Sequence, residues 1–222
     1  MARMAIKNQG NAVFPDRAAQ RELKLEALYE HAASAFNEKG FHGTSLDDIA
    51  AALGVSKPAL YRYVPNKQAL LYRLHCISLD AAEAAVTEGE ASPTDGVERL
   101  RIALYLYIRS LTASSSACLV LMEEGAMTGA AAAEILSRRR AFEGRFRTLV
   151  SAGIRDGSVA PCDPKFAVFS ILGAGNWVSR WYRPGGTRSG EDVARIMSRQ
   201  LVRGLAADPS RYHLDGDVRH AS

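Results

Sequence analysis

Apolar residues recur every three or four positions along nearly the whole chain, and no stretch alternates apolar with polar residues as a half-buried strand would. The pattern predicts an all-α protein of about nine helices. Asp16 is placed to cap a first helix in which Leu25, Leu28, Ala32 and Phe36 share one face, ending before Gly40. Thr44 and Ser45 open a short second helix; each has an acid three residues on, Asp47 and Asp48, as a capping box requires. Leu46, Ile49, Ala50 and Leu53 form its apolar face. Gly54 then breaks the pattern where the backbone needs positive φ, and Val55 is the apolar residue expected to tuck the turn into the core. Ser56 caps a third helix reaching to Tyr63, and Pro58 sits in its first turn, where a missing amide hydrogen costs little. Two short helices across a glycine-containing turn make a helix-turn-helix.

Asn66 caps a fourth helix with Leu70, Leu74, Ile77 and Ala81 on one face, expected to join this head to the rest of the chain. Its tilt would set where the head points. Residues 87–96, TEGEASPTDG, read as a loop by composition. A fifth helix, at about 95–113, is apolar on nearly all sides from Ile102 to Ile108 and is expected at the centre of the body. A shorter sixth helix follows at 117–127, and a seventh spans about 130–156. Ile135, Phe142, Phe146 and Leu149 mark the seventh helix's buried face, and Arg139 falls on the same stripe. A guanidinium aimed inward needs an anionic partner: an internal acid such as Glu123 or Glu124, or a ligand, unless it snorkels to the surface. The eighth helix (about 164–183) aligns Phe166, Phe169, Gly173, Trp177 and Arg180, and the ninth (about 189–207) aligns Val193, Met197, Leu201 and Leu205. The expected divisions are a disordered basic arm at 1–15 carrying Arg3 and Lys7, a helix-turn-helix domain at 16–80, a helical body at 81–207 and a flexible tail at 208–222.

Charge sharpens the picture of the head. The 222 residues carry a net +4, and residues 1–75 hold ten Lys and Arg against seven Asp and Glu, so +3 of the +4 lies there. Such a bias suits a polyanionic partner. The cysteines, Cys76, Cys118 and Cys162, are three and widely spaced, which suits neither a disulfide framework nor a zinc site and fits a reducing cytoplasm. No apolar run is long enough to span a bilayer and no apolar signal core opens the chain, so a cytoplasmic location is expected. No phosphate-cradling glycine loop, HExxH or GxSxG is present, and His31, His42, His75, His213 and His220 share no metal-like spacing. Neither catalysis nor a metal is expected.

Ile49, Ala50, Gly54, Val55, Ser56, Leu60, Tyr61, Tyr63, Lys67 and Leu70 resemble, at the same spacings, the N-terminal signature of the TetR family of transcriptional regulators. The resemblance covers about residues 20 to 75. It departs where the family's usual aromatic is replaced by Val64, followed by Pro65, which predicts a shortened or bent exit from the third helix. The resemblance implies a C-terminal helical ligand-binding and dimerisation domain, a double-stranded DNA operator as partner, and a homodimer through helices eight and nine. The second helix of a helix-turn-helix enters the major groove, with flanking groups on phosphates. On that basis Thr44, Ser45, Ser56, Lys57, Pro58, Ala59, Tyr61, Arg62, Tyr63 and Lys67 are the expected DNA-binding residues.

The stretch from Asn176 to Gly186, NWVSRWYRPGG, resembles the WYxPxG ending of a branch of that family that includes sensors of acyl-coenzyme A thioesters. It would equally serve to lock the turn between helices eight and nine. An effector pocket is expected among helices five, seven and eight, lined by Tyr105, Ile108, Met122, Phe142, Phe146 and Trp177, with Arg138, Arg139 and Arg180 available for phosphates. No cofactor is expected beyond such an effector. The reading is a ligand-responsive repressor released from a palindromic operator by a hydrophobic or acyl-coenzyme A effector. A multidrug-sensing repressor of an efflux gene and a DNA-binding module without a ligand are the alternatives.

Overall fold

The computed structural model describes residues 17–113 and 126–212. The basic arm, Asp16, the expected sixth helix up to residue 125 with Cys118, Met122, Glu123 and Glu124, and residues 213–222 lie outside the described residues. Among the described residues eight α-helices follow in order: α1 Arg17–Lys39, α2 Leu46–Ala52, α3 Lys57–Tyr61, α4 Lys67–Ala91, α5 Gly96–Ala113, α6 Gly129–Asp156, α7 Pro164–Trp181 and α8 Gly190–Arg203. Among the described residues there is no strand, only an isolated bridge between Val159 and Ala206. No helix among them is long and apolar enough to cross a membrane.

Among the described residues two large apolar cores stand out, and α4 contributes to both. Leu28, Phe36, Phe41, Ile49, Leu60, Val64, Leu70, Leu71 and Leu74 close the head around α1 to α3 and the first turns of α4. Ala82, Ala85 and Val86, further along α4, belong to the body core with Leu104, Ile108, Phe146, Val168 and Val202. At 25 residues α4 is about 37 Å long, enough to connect the two. The body is centred on α5, which packs against α4, α6, α7 and α8. Fully burying a side chain such as Ile108 or Phe146 contributes about 1.5–3 kcal/mol, so this centre carries much of the stability.

Three expectations about the chain's course are corrected. Residues 87–91, expected to be loop, continue α4 because Val86 and Gly89 are buried against the body. A Cβ on Gly89 would lie 2.6 Å from the Ala103 Cβ and 2.7 Å from the Arg99 carbonyl oxygen, so glycine here sets how closely α4 meets α5. The loop is therefore confined to residues 92–95 around Pro93. Residues 208–212, expected to begin a loose tail, are folded: Pro209–Tyr212 makes a 3-10 turn that buries the Tyr212 ring. Arg211 pairs with Asp95 at 2.7 Å, and the Tyr212 hydroxyl donates to Glu98 at 3.2 Å, pinning the turn to the start of α5. Val55, expected inside, is 43% exposed, because Leu60 and Val64 already fill the head core at that turn.

Candidate functional site

The start of α2 divides its polar residues between structure and surface. Ser45 Oγ accepts from the Asp48 amide at 3.1 Å while the Ser45 amide donates to Asp48 Oδ2 at 3.0 Å, a complete capping box. The Ser45 hydroxyl and amide hold the Asp48 carboxyl below its ordinary range. Thr44 does not face DNA with its hydroxyl. It is buried, and Oγ1 donates to the carbonyls of Gly40 at 2.9 Å and Ala35 at 3.1 Å, closing the turn out of α1. Its partner acid by spacing, Asp47, pairs instead with Lys57 across the turn at 2.6 Å, which raises the lysine's pKa. Gly54 makes that turn at φ 64°, and the Val55 amide reaches back to the Ala50 carbonyl.

Helix α3 ends at Tyr61 rather than Tyr63. The amides of Tyr63 and Val64 both turn back to the Leu60 carbonyl, and Val64, in place of the expected aromatic, is 4% exposed in the head core. Ser56, Lys57, Pro58, Tyr61 and Arg62 are exposed; Ala59 and Tyr63 are half-buried. Tyr61, at 51% exposure, is a large ring with no core to occupy. The surface thus presents hydroxyls and cations along α3, the donor types that phosphates and base edges accept.

Lys67 takes a role the spacing did not suggest. Its ammonium donates to the carbonyls of Phe41 at 2.6 Å and Thr44 at 2.8 Å and sits 4.3 Å from the centre of the Phe41 ring. Those carbonyls belong to the turn between α1 and α2. Lys67 therefore fastens the start of α4 to the helix-turn-helix rather than standing free for a phosphate. Asn66 caps α4 as expected, accepting from the Ala69 amide at 2.7 Å.

The body contains a cavity of about 380 Å³ among four helices. α4 supplies His75, Ser78, Leu79 and Ala82, and α5 supplies Tyr107. α6 adds Arg139, Phe142 and Glu143; α7 adds Phe169, Leu172, Gly173 and Asn176. The Tyr107 hydroxyl donates to Asn176 Oδ1 at 2.5 Å, and burial pushes its pKa up. Arg139 Nη2 lies 3.3 Å from His75 Nδ1. Burial, then the neighbouring Arg139 charge, pushes His75 down to about 4, so the imidazole is neutral at physiological pH, and burial also lowers the Arg139 pKa.

Of the residues expected around the ligand, Arg139 and Phe142 line this cavity. Phe146 lies beneath it, its ring 5.1 Å from that of Phe142. Tyr105 points elsewhere, its hydroxyl 3.4 Å from Glu191 at the start of α8, and Ile108 is fully buried against Gly175. Arg138 is engaged by Asp80 at 2.7 Å and Glu83 at 2.9 Å on α4. Trp177 and Arg180 are exposed and outside the lining. Met122 lies outside the described residues. Sequence reasoning missed His75, Ser78, Leu79 and Ala82 because it placed α4 as a linker and not as a wall; it also left Tyr107, Glu143, Phe169, Leu172, Gly173 and Asn176 out of the lining, although it had named their helices as the ones that bound the pocket. His75 one position off the Leu70, Leu74 and Ile77 stripe was the available signal.

α6 grips α4 along its length. Tyr72 donates to Glu134 at 2.8 Å near the head, Arg138 holds Asp80 and Glu83, and Arg145 reaches Glu90 at 2.5 Å and Thr87 at 2.8 Å. Among the described residues no cluster of His, Cys, Asp and Glu could hold a metal ion. Cys76 is buried and Cys162 exposed, both as free thiols.

Comparison with known proteins bears on both regions. Residues 28–74 match the family described as bacterial regulatory proteins, tetR family, and residues 93–205 match the tetracyclin repressor-like C-terminal domain. The chain is 29% identical over 197 residues to the HTH-type transcriptional repressor KstR2 of Rhodococcus jostii, an alignment covering 86% of this chain and 96% of KstR2. It resembles AibR, crystallised with isovaleryl coenzyme A and operator DNA, at 29% identity and a TM-score of 0.70, over 81% of this chain and 98% of AibR. PfmR of Thermus thermophilus is 30% identical with a TM-score of 0.72, over 80% of this chain and 98% of PfmR.

Proposed function

Because this chain belongs to the tetR family of DNA-binding transcriptional regulators, we propose that it is a repressor that leaves a palindromic operator when a small effector occupies the body cavity. The observation that carries this reading is the double duty of α4. Its first residue, Lys67, is bonded to the helix-turn-helix, and His75, about 12 Å further along, is in the cavity wall. A ligand that shifts His75 therefore shifts the base of the head. KstR2, a repressor by name, supports the sign.

A homodimer fits the reading. Phe166, Trp177 and Trp181 leave 66%, 62% and 47% of their surface exposed along α7, an apolar face suited to a second copy. Two-fold symmetry would then set two α3 helices about 34 Å, or a multiple of it, apart on DNA. Selection of genomic fragments by the immobilised protein, followed by gel-shift titration, tests this. A two-fold symmetric sequence with that half-site spacing is expected, and Lys57→Ala or Tyr61→Ala should weaken it. No enrichment over random fragments would refute the reading.

A second reading, with an acyl-coenzyme A as effector, is favoured by the similarity to AibR and by the Trp181 to Gly186 ending. Its test is release of the selected operator by isovaleryl coenzyme A.

A further inference from the structure

The charge inventory of the cavity assigns a chemistry to its occupant. α6 carries several arginines, and three of them are already neutralised: Arg138 by Asp80 and Glu83, Arg145 by Glu90, and Arg147 by Glu143. Arg139 differs. Among the described residues its recorded polar partner is an imidazole nitrogen at 3.3 Å, a long bond to a group that carries no negative charge. Glu143, the carboxylate in the cavity wall, is held by Arg147, and the Tyr107 proton is committed to Asn176. Glu123 and Glu124 lie outside the described residues. The described wall thus has one cation without a counter-charge, set beside apolar Leu79, Phe142, Phe169 and Leu172.

A half-buried guanidinium of this kind is costly while empty-handed and forms bidentate bonds with a carboxylate when one arrives. The volume, about 380 Å³, sits near the lower end of the roughly 300–1,000 Å³ usual for ligand sites. A polyphosphate handle would need further cations, yet Arg138 is engaged on α4 and Arg180 is outside the lining. We propose that the effector is a compact monocarboxylic acid whose carboxylate pairs with Arg139 and whose apolar body packs against Phe142, Phe169 and Leu172. The inference rests on the cavity being the effector site.

Calorimetric titration of the full chain tests it, using isovalerate, phenylacetate and phenylpropionate, each against its primary amide and its coenzyme A thioester. At least one acid is expected to bind about tenfold or more tightly than its amide, since the amide leaves the cation unpaired. Arg139→Gln should remove that preference. The acid and amide comparison on the unaltered protein needs no variant, so a folding defect in Arg139→Gln would not obscure the answer. Amides or thioesters that bind as tightly as the acids, acid affinity retained in Arg139→Gln, or no binding by any acid would overturn the proposal. Operator binding measured without any ligand separates the two readings: its loss refutes the repressor, whereas its presence with no acid bound refutes only the carboxylate.

Discussion

The head and the body each place a cation near the seam of their helices, and the two are used in opposite ways. Lys67 is satisfied by two backbone carbonyls and the face of Phe41, so it holds the helix-turn-helix on α4. Arg139 faces a neutral imidazole at 3.3 Å and keeps its capacity for an anion. A cation's spacing in the sequence does not tell these roles apart; its partners do. The same division runs through α2 and α3, where Thr44 turns inward to carbonyls while Tyr61 and Arg62 stay in solvent.

The contrast can be broken at four places, from the largest effect downward. Phe146→Ala empties a fully buried site under the cavity and should cost about 3–5 kcal/mol in urea unfolding, with the head's surface untouched. Acid should act through His75. Its folded pKa, about 4, lies below the ordinary 6.5, so the unfolded chain takes up the proton first. The stability is therefore complete above pH 6.5 and is lost, by up to about 3 kcal/mol, as the pH falls towards 4. Unfolding measured across that window should flatten in His75→Gln.

Lys67→Ala leaves two carbonyls unpaired and should cost about 1–3 kcal/mol of stability, with operator affinity falling alongside. The salt dependence of binding should keep its slope; a slope reduced by nearly one would show a lost phosphate contact instead. Tyr61→Ala should weaken operator binding by about 1–3 kcal/mol and leave the melting temperature where it was, because the ring is half in solvent. A fall in melting temperature would move Tyr61 from the surface account to the core account.

The head was legible because its signals are local. Ser45 and Asp48, Gly54, Pro58 and Asn66 each act within a turn of themselves, and the structure realises every one. What failed there was direction: neither Thr44 nor Lys67 announces in sequence that a carbonyl 9 or 26 residues away will claim it. In the body the helical periodicity gave α5, α6, α7 and α8 to within a few residues. The cavity was harder because its walls come from four helices. Tyr107 and Asn176 meet across 69 positions, and Arg139 and His75 across 64. Arg138 and Arg139 look alike by composition, and only the α4 carboxylates separate them. Gly89, followed by Ser92, Pro93, Thr94 and Gly96, gave residues 87–96 a loop-like composition that hid the continuation of α4 to Ala91.

The central claim is that cavity and operator compete through α4, and linkage makes it measurable. Operator affinity should be titrated with and without a saturating amount of the tightest-binding acid, and the affinity for that acid should be measured with and without saturating operator. The account predicts that each ligand weakens the other by the same factor, on the order of 5 to 150. Equal operator affinity in the two conditions, with the acid demonstrably bound, would contradict it.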